Sequence, residues 1–239
     1  MKGDSIVAPN MEAKRIIGAY ARRSQSIPAK RYSAFELPNL LRIQELEREL
    51  LRLIASRLQK DLRQTSILEV GCGTGYWLRQ LIQWGATPDN LFGVDLLEER
   101  IQAGKESCPS RVNLALANAS KLEFDDCRFD LVLQFTVFTS ILDPAMRKTV
   151  ASEMCRVLKP GGGILWYDYF VSNPYNPDVR GVTRREILQL FPGLSIFLKR
   201  ITLAPPLGRA IGPISPALYT LLSVLKPLCT HYIGFFEKP

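Results

Sequence analysis

The sequence predicts an α/β fold, doubly wound around a parallel sheet, and three observations point to it. Between residues 66 and 169, short apolar runs alternate with segments of helical period, the pattern of a parallel sheet covered by helices on both faces. The stretch ILEVGCGTGYW, residues 67–77, follows the first of those runs with Gly71, Gly73 and Gly75 and then turns helical. A chain of 239 residues with 46% hydrophobic content is long and apolar enough to bury one substantial core.

Taken in order, residues 1–38 have no clear period and carry Pro9, Pro28 and Pro38, which predicts a loosely ordered arm with short helices. From Asn39, apolar residues at Ile43, Leu46, Leu50, Ile54 and Leu58 recur at the helical period. Glu45 with Arg48 and Glu49 with Arg52 add i,i+3 charge pairs on the same helix. Strands are expected at 66–70, 91–95, 111–117, 129–135 and 163–169, and helices at 76–84, 97–107 and 143–158. The last of these helices opens with Asp143-Pro144, an N-cap followed by proline at the first helical position. Gly161 to Gly163 are expected to end it and turn the chain into the fifth strand. The tail reads as a short helix near 183–190, a strand near 195–203, a Pro-rich apolar stretch and a final strand around 231–237. The implied division is an N-terminal arm and helix over 1–63 and a cofactor-binding catalytic domain over 64–239.

Charge and cysteine usage narrow the classes. The net charge of +8 is uneven: residues 1–63 carry 13 Lys/Arg against 7 Asp/Glu, residues 170–239 carry 8 against 3, and the middle is net acidic. Basic flanks suit nucleic acid, an anionic membrane face, a phosphorylated substrate, or simply a solvated surface. The first residues contain no apolar h-region, so no secretory signal is expected. Five scattered cysteines without a CxxC pair argue against a disulfide framework or a zinc site and suit a reducing cytoplasm; no metal is expected.

The glycine loop carries the chemistry. A nicotinamide fingerprint requires GxGxxG, whereas the spacing here is GxGxG. Glu69 sits two residues before Gly71, where a carboxylate repels a pyrophosphate and attracts an ammonium. That favours a cofactor with a cationic amino acid end over a dinucleotide. Asp95, twenty residues past Gly75 at the end of the second strand, suits a carboxylate accepting both hydroxyls of a ribose. Packing alone can account for one glycine in a strand–turn–helix loop, but not for three together with Glu69 and Asp95 at these intervals.

Four ordered motifs, EVGCGTG at 69–75, GVD at 93–95, FDLVL at 129–133 and VLKPGG at 157–162, resemble those of class I S-adenosylmethionine-dependent methyltransferases. The resemblance covers about residues 66–169. It implies a Rossmann-like sheet of seven strands, mostly parallel, with the last strand antiparallel between the fifth and sixth. It also implies S-adenosylmethionine as cofactor, with Glu69, Gly71, Gly73 and Gly75 on its amino acid side and Asp95 on its hydroxyls. Leu96 would flank the adenine, Asn118 and Ala119 would lie beside the adenine amino group, and Gln134 beneath the methionine portion. Asn118 stands where the family often has aspartate, and its carbonyl can accept the same hydrogen bond without a charge.

For the acceptor, the topology of that family brings the end of the fifth strand and the start of the last to the cofactor edge. Asp168, in WYDYF, and His231, the chain's single histidine, are therefore the candidates for proton removal. Each has an alternative reading, Asp168 as a loop cap or partner of Arg180 and His231 as a hydrogen-bonded structural residue. Tyr167 alternates with Asp168 and reads as core. NPYNPDVRGVTRREI, 173–187, begins on the active edge, where Arg180, Arg184 and Arg185 either meet an anionic group or stay solvated behind a Thr183 N-cap. Residues 204–229, apolar but broken by five prolines, are too interrupted to span a membrane. They are expected to form a helical lid over the substrate and to permit peripheral membrane contact. The arm around Tyr20, Arg22, Arg23 and Tyr32 would close the other side.

The expected function is methylation, on oxygen, of a small molecule, sugar or lipid-linked glycan. The stretch after WYDY and the Pro-rich tail resemble bacterial methyltransferases that accompany polysaccharide or natural-product pathways. Two alternatives remain open: an RNA methyltransferase, and a non-catalytic cofactor-binding scaffold at a membrane or partner protein. Against nucleic acid, the fourth strand leads into Gln134-Phe135-Thr136-Val137 rather than an Asn/Asp-Pro-Pro-Tyr motif, and no RNA-binding module is appended.

Overall fold

The computed structural model describes residues 11–239; Pro9 and the start of the expected arm lie outside the described residues. Strands Ile67–Val70 (β1), Leu91–Asp95 (β2), Asn113–Leu116 (β3), Phe129–Phe135 (β4), Leu158–Tyr169 (β5), Ser195–Leu203 (β6) and Cys229–Glu237 (β7) form one sheet. Their order is β3-β2-β1-β4-β5-β7-β6. β1 to β5 pair in parallel, while β7 lies antiparallel between β5 and β6. The fold is thus the expected doubly wound, mostly parallel α/β sheet. The order in which strands are added reverses between β1 and β4, which leaves a crevice past the strands' C-terminal ends.

Helices cover both faces because alternate strand residues point to opposite sides. Leu68, Val70, Val132, Ile164 and Trp166 meet α5 (Pro144–Val157) and α6 (Arg184–Leu190) on one face. Ile67, Leu131, Leu133, Leu165 and Tyr167 meet α2 (Leu37–Arg57), α3 (Tyr76–Gln83) and α4 (Glu98–Ser107) on the other. The Asp143 side chain caps α5 by accepting from the Ala145 amide, with Pro144 next, and Thr183 caps α6 by accepting from the Glu186 amide. The fully buried Arg147 ties these pieces together, donating to the Ile141 and Arg180 carbonyls and to Glu186.

Three expectations need correction. The arm holds a regular 16-residue helix, α1 (Met11–Ser26), not only short ones. Its buried face is built on Ala13, Ile16 and Ala19, residues small enough to let the helix approach closely but too weakly hydrophobic to give a clear period. The next helix starts at Leu37, before Asn39, because Pro38 is tolerated in a first turn. Gly161 to Gly163 do not end α5, which stops at Val157; they belong to β5. There the Gly161 amide donates to the Lys238 carbonyl and the Lys238 amide to the Gly162 carbonyl, so the chain's end continues the pairing.

Residues 204–229 join β6 to β7 as α7 (Pro205–Ile211), α8 (Pro216–Val224) and a 3-10 turn, Lys226–Leu228. Among the described residues no helix is long and apolar enough to cross a membrane.

Candidate active site

The loop after β1 needs glycine at each of its three glycine positions. Gly71, Gly73 and Gly75 have φ of 71°, 54° and 73°, the left-handed region that side chains rarely adopt. A Cβ on Gly71 would also meet Val137 Cγ2 at 2.4 Å. The amides of Gly71 and Cys72 both donate to the Val94 carbonyl, at 2.8 and 3.0 Å. The Gly73 amide donates to Asp95 Oδ2 at 2.9 Å, and the Leu97 amide to Asp95 Oδ1 at 2.9 Å. Asp95 therefore pins the glycine loop to the end of β2 while standing at the mouth of the crevice.

Beside this loop lies a cavity of about 110 Å³. Of the residues expected to hold the cofactor, Gly71, Asp95, Leu96, Asn118 and Ala119 line it; Glu69, Gly73, Gly75 and Gln134 stand behind its wall. Gln134 is buried and braces that wall, accepting from the Val137 amide and donating to the Tyr167 carbonyl. The carbonyl of Asn118 accepts from both the amide and the hydroxyl of Ser120, at 3.0 and 2.9 Å. Its amino group, rather than the carbonyl expected from the sequence, is what remains for a ligand.

Glu69 is buried, and its Oε2 has no hydrogen-bond partner. Burial, and then the nearby Asp95 charge, push its carboxyl well above the ordinary range. A buried polar atom without a partner is costly, and an incoming ammonium is the group that would satisfy it. The orphaned Glu69 oxygen, three left-handed glycines and a carboxylate at the crevice mouth fit a nucleoside with an amino acid tail. Ile16 and Tyr20 of α1 roof this cavity, with the Arg100 guanidinium 4.4 Å above the Tyr20 ring.

A second cavity, about 640 Å³, adjoins the first; Tyr20, Thr136 and Ser140 line both. Thr136 adopts a left-handed φ of 61°, a strained backbone set at the junction of the two spaces. Segment 204–229 forms part of the larger wall through Pro205, Pro206, Arg209 and Tyr219, and α1 contributes Arg23. Arg22, by contrast, is exposed and pairs with Asp178. Arg184 and Arg185 are exposed on α6 and line neither cavity, and Arg180 pairs with Glu186.

The two candidates for proton removal reach the same edge on opposite faces of the sheet. His231 pairs with Tyr169 across the β5–β7 ladder, whereas Asp168 pairs with Tyr232 one step along. His231 lines the larger cavity. Its ring stacks on Tyr167 at 4.7 Å and packs against Tyr169 at 3.7 Å, while Nδ1 meets the Thr230 hydroxyl at 3.1 Å. Burial, and then the Arg42 charge, hold it well below its ordinary value, so the ring is neutral near neutrality. Asp168 is fully buried and lines neither cavity. It accepts from the amide and hydroxyl of Thr139 and from the Tyr169 amide. Burial raises its carboxyl to about 6, against those hydrogen bonds. Its place is behind the turn 138–140, which it fixes, and not beside Arg180. Tyr167 is core, as expected, with its hydroxyl 3.1 Å from Thr202 Oγ1.

Arg31 and Arg42 also line the larger cavity, and sequence reasoning passed over both. Arg42 sits on an amphipathic helix among solvated charges, so only the packing of α2 against the β5 and β7 ends reveals where it faces. Among the described residues no cluster of three or more His, Cys, Asp or Glu stands as a metal site.

Residues 67–162 match a family described as a methyltransferase domain. Over 105 residues the chain is 36% identical to the demethylmenaquinone methyltransferase of Shouchella clausii (strain KSM-K16), a match covering 42% of this chain and 43% of that protein. The enzyme of the same name from Staphylococcus aureus (strain JH9) is 33% identical over 114 residues, 46% of each chain. The chain thus spans less than half the length of the curated relatives it matches. Among solved structures, the methyltransferase held by the Trm112 activator of Haloferax volcanii superposes with a TM-score of 0.62 at 16% identity, covering 95% of this chain and 98% of that one.

Proposed function

We propose that the chain, whose residues 67–162 match a methyltransferase-domain family, is a class I S-adenosylmethionine-dependent methyltransferase that moves a methyl group onto an oxygen of a small molecule, sugar or lipid-linked glycan held in the 640 Å³ cavity. The observation that carries this reading is the junction itself: the crevice at the glycine loop and a larger cavity share Tyr20, Thr136 and Ser140. The curated relatives are named for a small-molecule acceptor, in keeping with an enclosed cavity rather than an open surface.

S-adenosylmethionine, when bound, supplies an electrophilic methyl group open to in-line displacement. Holding reactants aligned can contribute about 7–11 kcal/mol of barrier lowering, so the chain's main task is positioning. Asp95 would hold the ribose hydroxyls, Gly71 would lie on the amino acid side, Asn118 and Leu96 would frame the base, and the orphaned Glu69 carboxyl stands behind the loop on the side of the ammonium. An acceptor hydroxyl must lose its proton, and neutral His231, walled by Tyr167 and Tyr169, is the proton acceptor. Asp168 acts one step back by fixing Thr139 and the turn that carries Ser140.

Peripheral membrane contact belongs to the same reading. Residues 204–229 contain Arg209 and Lys226 but no carboxylate, and Ile214, Leu221 and Val224 are 81%, 64% and 63% exposed. An apolar, basic surface beside the cavity suits an anionic lipid face. Five free thiols are in keeping with a cytoplasmic location.

The test is incubation of the protein with methyl-labelled S-adenosylmethionine and fractionated cell extract. Label in a small-molecule, glycan or lipid fraction is the expected result; label in RNA alone, or in no fraction, overturns it.

A further inference from the structure

The larger cavity has a charge pattern that methyl transfer by itself does not require. Arg23 from α1, Arg31 from the turn before α2, Arg42 from α2 and Arg209 from α7 all line it, and no aspartate or glutamate does. None of the four takes part in an ion pair among the described residues. Their recorded neighbours are neutral: Arg23 donates to the Tyr32 hydroxyl at 3.3 Å and lies 5.2 Å over the Tyr20 ring, and Arg42 lies beside the Tyr167 hydroxyl. Other buried or half-buried arginines are matched with carboxylates, as Arg147 with Glu186 and Arg156 with Glu153 and Asp126, but these four share one cavity without such a partner. Converging like charges in a partly enclosed space repel one another, and an anion is what relieves that repulsion.

We propose that the acceptor carries a carboxylate or phosphate group, and that Arg42 and Arg209, with Arg23 and Arg31, form the subsite that reads it. Guanidinium groups present paired N–H donors that match either oxyanion in a two-point contact. The tyrosines between them, Tyr20, Tyr32, Tyr169 and Tyr219, offer flat surfaces for the carbon skeleton next to the anionic group. Arg42 also lies close enough to His231 to lower its proton affinity. An oxyanion at Arg42 would offset that field and make the ring a better proton acceptor when the acceptor is in place.

This inference rests on the reading of the larger cavity as an acceptor site, and calorimetry separates the two. Benzoate and phenyl phosphate serve as anionic probes and phenyl glucoside as a neutral one, with S-adenosylhomocysteine titrated in parallel. At least one anionic probe should bind the wild-type chain more tightly than phenyl glucoside. Its affinity should fall with added salt and drop at least fivefold in Arg42→Gln and in Arg209→Gln, while S-adenosylhomocysteine binding stays within twofold. The tighter of the two anionic probes identifies the group. Arg209 is exposed, so its variant keeps the fold even if the Arg42 change disturbs packing around Tyr167. Equal anionic-probe affinity in wild type and both variants, or a neutral probe bound as tightly, overturns the anion subsite. Loss of S-adenosylhomocysteine binding by the wild-type chain overturns the methyltransferase reading instead and leaves the anion result to be judged separately.

Discussion

The two cavities share three residues yet are built in different ways. The smaller has its floor in the ends of the parallel strands and the loops that follow them, with α1 as a roof, and its polar groups are mostly engaged with backbone: Asp95 with Gly73 and Leu97, Asn118 with Ser120. The larger is assembled from pieces far apart in the chain, α1, α2, the β5 end, α7 and the β7 start, and its four arginines are unmatched by any carboxylate. A site that binds one invariant ligand can be fixed by backbone geometry. The larger cavity leaves its charge to side chains on added elements, where among the described residues it has no ion-pair partner.

Substitutions can break that comparison by acting on one cavity alone. The largest effect belongs to His231→Ala, which should slow turnover by about 10²-fold or more while leaving the dissociation constant for S-adenosylhomocysteine unchanged, as read by steady-state kinetics and calorimetry. The wild-type acid limb of kcat/KM should fall below the ordinary histidine value of 6.5, because the buried ring stays neutral there. A limb above 6.5 would remove His231 from that role. Asp95→Ala should do the reverse, weakening S-adenosylhomocysteine by about tenfold or more through loss of ribose contacts and of the clamp on Gly73. Equal binding by variant and wild type would take Asp95 out of the site.

Smaller effects sharpen the same contrast. Asp168 titrates near 6 in the fold against 3.8 ordinarily, so its contribution to stability is fully present below about 3.8 and is lost as pH rises through about 6. His231 runs the other way, its contribution present above about 6.5 and lost as pH falls through its depressed folded value. Asp168→Asn removes only the first, so the melting temperature of the variant relative to wild type should be several degrees higher at pH 7.5 than at pH 5, with turnover within about threefold. A pH-independent difference would show that the carboxyl is not buried in the charged form at neutrality. The smallest change in stability is expected for Leu221→Glu with Val224→Glu, within about 0.5 kcal/mol because both residues are exposed. The pair should nevertheless abolish flotation with phosphatidylglycerol vesicles; undiminished flotation would rule out contact through α8.

What could be read from the sequence follows the same division. The order and position of the strands came from alternation of period, and the crevice at the glycine loop from glycines and carboxylates whose spacing is local. Asp168 and His231 were placed at the correct edge, but their faces were not compared, and the one-residue offset of Asp168 from Tyr169 puts its carboxylate behind the turn 138–140. Arg42 was invisible for another reason: within α2 it is one charge among many, and only the docking of that helix over β5 and β7 turns it inward. α1 was missed because alanines carry little hydropathic signal, although their small size is what allows the helix to lie so close.

Tyr20 belongs to both cavities, and its hydroxyl bonds Ser140 while its ring carries Arg100. Ile16 and Tyr20 place α1 over the smaller cavity, so any movement of that helix on donor entry would carry the shared tyrosine with it. Occupancy on one side then sets the shape met on the other, and by reciprocity each ligand changes the affinity for its neighbour by the same factor. Calorimetry should accordingly show that S-adenosylhomocysteine changes the affinity of a probe in the larger cavity by the same factor as the probe changes that of S-adenosylhomocysteine.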